Sequence, residues 1–509
     1  MVGRNRYMKD PATLLDILLA APPENTAIVL PESGIRVSYS SLRRQVAAFA
    51  DALAGLGIAN GARVAMALPN GLSAIVSFLA ASIAGAAAPL NPGYRHDEFA
   101  FYLEDTQAKL LILPPDSSDE ARRAAAGKIP VVTIDVSADG TVVPPAAPGS
   151  ASASAPAPDD IALVLHTSGS TGRPKRVPLK HRNIAASVRN IAATYQLSPE
   201  DVSLVVMPLF HVHGLVASTL STLFTGGTIV VPSRFNPLSF WRTAGDARAT
   251  WYSAVPTMHQ LLLARSGRGN ERPAGAASLR FIRSCSAPLP VEVAERMQSL
   301  FGAPVLEAYG MTEASHQMAS NPLPPRPHKF GTVGAGTGVR IAIMDSGGRL
   351  LETGQQGEVV IQGPNVIEGY ENNPEANRVS FAGGWFRTGD QGVLDADGYL
   401  RLVGRIKELI NRGGEKIGPP EIDDVLLSHP MVTAAVCFGV PHPTLGEEVE
   451  AAVVLGEPAS EADLLAYCRE RLATFKCPKK IHLVSEIPRT ATGKVQRRAV
   501  AAAFAAKQA

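Results

Sequence analysis

The sequence predicts an α/β protein with a large N-terminal domain and a smaller α+β C-terminal domain, and three features carry that prediction. Short apolar runs alternate with Ala-rich amphipathic stretches over the first part of the chain, the signature of parallel strands layered with helices. After residue 320 the texture turns to short β-rich pieces between Gly turns. From Ile406 onward the chain is more charged and starts a helix and strand pattern of its own.

In chain order, Ser40–Leu56 reads as an amphipathic helix, and Arg63–Leu68, Lys109–Leu113 and Ile161–Leu165 as buried strands. Between Ser137 and Asp160 the chain is Ala/Pro/Ser-rich with almost no large apolar residue, so a mobile surface connection outside any core is expected. Val339–Asp345, Glu358–Gln362 and Gly392–Val403, with Asp397-Gly398 at the turn of the last, form a small β subdomain. Glu421–Ser428 is expected to be helical and Val432–Gly439 extended, with domains at residues 1–405 and 406–509.

With 509 residues, 46% hydrophobic and 18% charged, the chain belongs to the globular class and is too long for one core. Lys and Arg number 48 against 46 Asp and Glu, so no basic field exists to hold nucleic acid. Cys285, Cys437, Cys468 and Cys477 form no Cys-x-x-Cys pair and read as reduced thiols. Met1 to Asp10 is polar and charged, without an export signal. The most apolar stretch, Ile75–Ala88, falls short of the roughly 20 residues that span a bilayer. A cytoplasmic enzyme without a membrane partner is expected, and nothing selects between monomer and homodimer.

Leu163–His166 reads as a strand running into Thr167, Ser168, Gly169, Ser170, Thr171, Gly172, Arg173, Pro174 and Lys175. A strand feeding a Gly/Ser/Thr loop presents backbone N–H groups and hydroxyls to a polyphosphate, and the Lys adds a point charge. Read alone, the same composition also suits an ordinary flexible connection. The Walker A spacing is absent, which disfavours a P-loop ATPase.

Four further motifs follow in order: Tyr309-Gly310-Met311-Thr312-Glu313, Trp385-Phe386-Arg387-Thr388-Gly389-Asp390, Gly404-Arg405-Ile406-Lys407, and Pro488-Arg489-Thr490-Ala491-Thr492-Gly493-Lys494. Together with the loop, they resemble the adenylate-forming superfamily of acyl-CoA synthetases, luciferases and peptide-synthetase adenylation domains. One residue departs from its pattern: Arg176 stands where the family usually has Gly, either stiffening the loop or adding charge near the pyrophosphate.

The resemblance implies a fold of two α/β subdomains and a small β subdomain followed by a mobile C-terminal domain. ATP, Mg²⁺ and coenzyme A are the small-molecule partners it implies. Glu313 would hold the metal, and Thr312, His211 and Lys494 join it as catalytic candidates. The nucleotide would meet Thr167, Ser168, Gly169, Ser170, Thr171, Gly172, Lys175, Ser286, Ala287, Pro288, Glu307, Ala308, Tyr309, Gly310, Thr312, Asp390, Arg405 and Lys494. Asp390 and Arg405 would hold the ribose, the carboxylate suiting a diol because it only accepts. Lys407 would act as hinge and bring Arg412, Gly413 and Gly414 to the pantetheine chain. No carrier domain follows Lys494, so free coenzyme A is the expected acceptor. Each residue alone has a plainer reading, Glu313 as a solvated carboxylate, Asp390 as a turn cap, Lys494 as a terminal charge; the ordered set outweighs them.

The neighbourhoods that line the acyl pocket in relatives are polar here. His213 follows His211 by one alternation step. His259, Arg283, Ser284, Ser286 and His316 add further polar groups. Such a pocket suits a short acid with a second carboxylate, and the surrounding segments resemble oxalate–CoA ligases, which implies oxalate. A ligase for malonate, short fatty acids or 4-coumarate-like acids and a non-catalytic adenylate binder are the alternatives, and any one of the three histidines alone reads as a satisfied core residue.

Overall fold

The computed structural model of the protein describes residues 11–117, 119–149, 151–167, 174–266, 271–490 and 495–505. Four sheets organise them. The first holds, in spatial order, Val131–Thr133, Leu110–Leu113, Arg63–Met66, Ala86–Pro89, Ile161–Thr167 and Lys175–Lys180. Its neighbours run parallel except the last pair, which is antiparallel.

The second sheet places Thr26–Val29, Thr228–Val230, Val202–Leu204, Trp251–Ala254, Phe281–Ser284 and Val305–Met311 side by side, all parallel. Arg36–Ser38 closes one edge, and His316–Ser320 with Ala335–Gly336 the other, all antiparallel. Every residue of Trp251–Ala254 and Phe281–Ser284 is buried, as expected for parallel strands covered on both faces. The helix Leu72–Ala84 is buried almost all round, and one apolar core joins both sheets.

The third sheet is antiparallel and small: Arg340–Met344, Gln356–Gln362, Phe381–Ala382, Trp385–Leu394 and Leu400–Arg405. Its last hairpin turns at Asp397-Gly398, where Gly398 takes φ +79°. The fourth lies in the smaller C-terminal part and holds Ile410–Arg412, Glu415–Ile417, Val432–His442, Gly446–Leu455 and Lys480–Leu483 around a core of its own.

Most predicted elements appear with shifted ends, and the shifts have local causes. The first long helix starts at Tyr39 because the Ser38 hydroxyl caps it, accepting from Ser41 N at 3.2 Å. The helix expected at Glu421–Ser428 runs Pro419–Leu427, since proline suits the first helical turn. Ile75–Ala88 is not one element but the end of the helix Leu72–Ala84 and the start of the strand Ala86–Pro89. The four cysteines are free. Among the described residues no helix is long and apolar enough to cross a membrane.

The connection Ser137–Asp160 differs from expectation, because part of it joins the core. Val142 is 2% exposed within the main apolar cluster. The buried Gln45 side chain accepts from Val142 N at 2.8 Å and donates to Gly140 O at 3.1 Å. A single polar residue inside the helix Tyr39–Gly55 thus satisfies two backbone groups of the stretch, beside the anchor that Val142 supplies. Gln45→Ala leaves both groups unpaired; a loss of about 1–3 kcal/mol in chemical denaturation and faster proteolysis between 137 and 160 are expected.

Candidate active site

The strand Ile161–Thr167 delivers Thr167 to Glu313, with Oγ1 3.4 Å from Glu313 Oε1. Glu313, 6% exposed, rides the tight turn Thr312–Ala314, and its Oε1 also accepts from Tyr370 OH at 2.8 Å. Lys175 Nζ stands 4.4 Å over the Tyr370 ring. Burial, opposed by Glu313, draws its ammonium below the usual lysine range. Thr167, Lys175, Thr312 and Glu313 therefore share one corner, whereas Ser168, Gly169, Ser170, Thr171 and Gly172, and Lys494, lie outside the described residues.

Asp390 and Arg405 face each other in register on neighbouring strands, and Arg405 Nε is 2.7 Å from Asp390 Oδ1. Tyr309 donates its hydroxyl to Asp390 Oδ2. Burial, with Asp390 beside it, holds that phenol well above the usual tyrosine range. Gly310 follows Ala308 and Tyr309; a Cβ there would lie 2.3 Å from His316 O, so only bare backbone fits. Ser286, Ala287 and Pro288 form the loop after Phe281–Ser284, with Ser286 at φ +77°. Glu307 lies beneath it, 6% exposed, with Oε1 lacking a hydrogen-bond partner among the described residues. Burial pushes its carboxyl up to about 8.

Arg283 is fully buried, and register sets it beside Ser253 on the adjacent parallel strand. Its partners are all neutral. Nε donates to Tyr195 OH at 2.9 Å, Nη1 to Ser253 Oγ at 2.9 Å and Nη2 to Gln317 Oε1 at 3.0 Å. His213 Nε2 lies 3.4 Å from Nη1, and His316 Nδ1 lies 3.3 Å from Nη2. Among the described residues no carboxylate pairs with this guanidinium. Burial and the adjacent Arg283 charge push His213 and His316 well below the usual histidine range, so both rings are neutral.

Hydrogen-bond directions follow from that positive centre. His316 Nδ1 accepts from Arg283, leaving its Nε2–H to donate elsewhere. Ser253 accepts from Arg283 and donates its own O–H to His213 Nε2 at 2.6 Å; His213 Nδ1–H then donates to Ser286 Oγ at 3.1 Å. Every donor in the chain points away from the buried cation. Two strained backbones hold the ends in place. Ser315 and His316 take φ +50° and +104°, and His213 opens the π-helical segment His213–Leu220. Gly214 makes that opening possible, since a Cβ there would sit 2.4 Å from Pro208 O.

Two expected acyl residues are not brought into the cluster. His259 packs on Tyr252, their ring centroids 5.6 Å apart, on the face of its sheet opposite to Ser253. Ser284 alternates with Arg283 and faces the other layer with Ile282, its hydroxyl without a hydrogen-bond partner among the described residues. His211 is partly exposed beside Phe210, and burial pushes its imidazole down to about 4.

In the smaller domain Lys407 is exposed, and its carbonyl accepts from Arg498. Arg412 pairs with Glu448, Nη2 to Oε2 3.1 Å, rather than reaching out alone. Gly413 and Gly414, at φ +59° and +95°, form the two-residue turn of the hairpin Ile410–Ile417, so backbone geometry already requires them. Lys476 is bound to Glu421 at 2.7 Å.

Several residues of the site have no sequence signature. Tyr370, Ser253, Gln317 and Asn365 sit in ordinary surroundings and acquire their positions only through tertiary contact. Asn365, fully buried, donates to Ala314 O at 2.8 Å and Gln317 O at 3.1 Å, while its own carbonyl accepts from Ser315 Oγ at 2.9 Å.

The raised Glu307 carboxyl fixes a pH dependence. Its proton is retained in the folded state above the unfolded value of 4.5, so folding is favoured at low pH and loses stability as pH climbs from there through about 8. Glu307→Gln, neutral at every pH, should melt increasingly above the wild type as pH rises from 5 to 9; a constant offset would contradict the protonated acid.

Residues 18–371 match the AMP-binding enzyme family and residues 421–494 its C-terminal domain. A probable CoA ligase of Humulus lupulus is 47% identical over 98% of both chains. An oxalate–CoA ligase of Arabidopsis thaliana is 49% identical over 89% of this chain and 90% of its own. The crystal structure of ATP-bound MatB from Rhodopseudomonas palustris superposes with TM-score 0.88 at 31% identity, covering 97% of this chain and 99% of its own. The chain belongs to the AMP-binding enzyme family, as an acid–thiol ligase of the acyl-CoA synthetase kind.

Proposed function

We propose that the acid this ligase joins to coenzyme A is oxalate. The observation that carries the reading is the buried Arg283 guanidinium with only neutral partners. An ion out of water without a counter-charge is costly, and a bound dianion removes that cost. Oxalate brings one carboxylate to react and a second to accept the outward-pointing donors of Ser286 and His316. Glu313 and His316 are three residues apart in one turn, which leaves little length between reacting carboxylate and recognised carboxylate. The likeness to the Arabidopsis oxalate–CoA ligase supports the same acid.

ATP, Mg²⁺ and coenzyme A complete the reaction. Mg²⁺ commonly keeps several waters and takes one or two protein carboxylates beside phosphate oxygens. Glu313 next to Thr167 fits that requirement, and among the described residues no group of three or more His, Cys, Asp or Glu could hold a metal unaided. When bound, the ion supplies charge neutralisation at the polyphosphate. Lys175 and the loop from Thr167 cradle the phosphates, and Asp390 and Arg405 take the ribose hydroxyls. An oxalate oxygen attacks the α-phosphorus, the bond to pyrophosphate breaks, and Lys494 stabilises the developing charge. The coenzyme A thiol then attacks the activated carbonyl carbon and AMP departs. Lys407 serves as hinge between the two steps.

Pyrophosphate release with MgATP and coenzyme A across oxalate, malonate, acetate, octanoate and 4-coumarate should select oxalate and yield a product of oxalyl-CoA mass. Turnover of another acid without oxalate would sink the reading. His316→Leu should raise the KM for oxalate about tenfold or more at unchanged KM for ATP, the worth of a hydrogen bond to a charged group, and His213→Leu should raise it in the same direction by releasing Ser286. Since both rings are neutral, KM for oxalate should stay flat from pH 6 to 8; a rise centred near the ordinary histidine value would show that imidazolium binds instead. Lys494→Ala should abolish adenylate formation and spare thioester formation from pre-made acyl-adenylate, and parallel loss of both would contradict its assignment.

A further inference from the structure

Behind the phosphate corner lies a second charged cluster that the reaction itself leaves unused. Alternation along Lys175–Lys180 sends Lys175 toward Tyr370 and Arg176 into the interior, where it is 7% exposed. Arg176 Nε is 3.3 Å from Glu371 Oε2 and 3.7 Å from Asp105 Oδ2. Glu371 is also gripped by Arg63, whose Nη2 lies 2.7 Å from both carboxylate oxygens. Asp105 is bound by His166 Nε2 at 2.8 Å, and His166 stands opposite Arg176 in the hairpin register.

Glu371 follows Tyr370, and its backbone N–H donates to Arg176 O at 3.2 Å. Two adjacent residues of one segment therefore meet two adjacent residues of the strand leaving the phosphate loop. Tyr370 lies under Lys175 and binds Glu313; Glu371 binds Arg176 and, through Arg63, a second strand of the same sheet. We propose that Arg176 and Arg63, acting through Glu371, are positioning residues that set Lys175 and Glu313 for the ATP polyphosphate. Arg176 thus neither reaches the pyrophosphate nor merely stiffens the loop; it anchors the strand that carries Lys175. The proposal rests on the ligase class and is independent of which acid is used.

The test uses Arg176→Gly, Glu371→Gln and the charge-keeping Arg176→Lys in the full chain. ATP binding is read by titration calorimetry, KM for MgATP by pyrophosphate release with whichever acid the wild type turns over best, and the second step by thioester formation from that acid's pre-made adenylate. Arg176→Gly and Glu371→Gln should weaken ATP binding and raise its KM about tenfold, Arg176→Lys should recover part of this, and thioester formation should stay within about twofold, because misplacement of the phosphate groups burdens only the first step. Should Arg176→Gly fail to fold, Glu371→Gln, close in shape to the native side chain, reads the same quantities. Unchanged ATP binding and KM in variants that melt like the wild type would overturn the proposal, and so would a parallel fall of both steps, which marks general packing.

Discussion

The buried amide of Asn365 is the interaction on which both ends of the catalytic cleft depend. It holds the carbonyls of Ala314 and Gln317 on either side of Ser315 and His316, and the Ile367 N–H, two residues on, takes the Glu313 carbonyl at 2.9 Å. Left-handed backbone at two consecutive non-glycine residues costs about 1–3 kcal/mol each, and persists only where the surroundings over-determine it. At Ser315 and His316 those surroundings are Asn365 and its neighbours. One fully buried side chain thereby fixes the distance between the Glu313 carboxylate and the His316 imidazole.

Electrostatics divides the same cleft into two kinds of polar site. The phosphate corner combines a half-buried ammonium, a carboxylate and a phenol, each able to trade protein contacts for ligand contacts. The corner around Arg283 keeps its one formal charge out of reach and transmits it through neutral hydroxyls and rings. Preorganised donors of this kind need no reorientation when an anion arrives, and their low-dielectric setting makes them stronger than the same groups in water. Direct contact between Arg283 and an acid would require breaking its bonds to Tyr195, Ser253 and Gln317.

Much of this was legible in the sequence, and the division between readable and unreadable has physical causes. Glu313, Asp390, Arg405 and Thr167 belong to contiguous motifs, where the backbone conformation travels with the residues. Asp390 and Arg405 meet because a hairpin with a readable Asp-Gly turn aligns them. The acyl corner is built from the ends of separate strands, and there spacing fails. His259 and Ser284 look equivalent to His213 and Arg283 in the sequence, yet alternation and helix direction turn them to the other layer. Tyr370, Glu371, Asn365 and Ser253 carry no local mark, since their partners lie far away along the chain. The Ala/Pro/Ser stretch misled for a related reason: its anchor, Gln45, lies in a different element.

The π-helical segment His213–Leu220 sets backbone sturdiness against the placement of His213. A π-turn carries a surplus residue relative to an α-turn, at the expense of poorer backbone bonding. Removing one residue from it would let the segment relax into a regular helix, but would swing the side chains upstream of the deletion by about 100° relative to those downstream. His213 would then lose Ser253. Screens for heat tolerance that admit deletions would tend to recover this shortened helix, a hardier chain that has given up the His213–Ser253 contact.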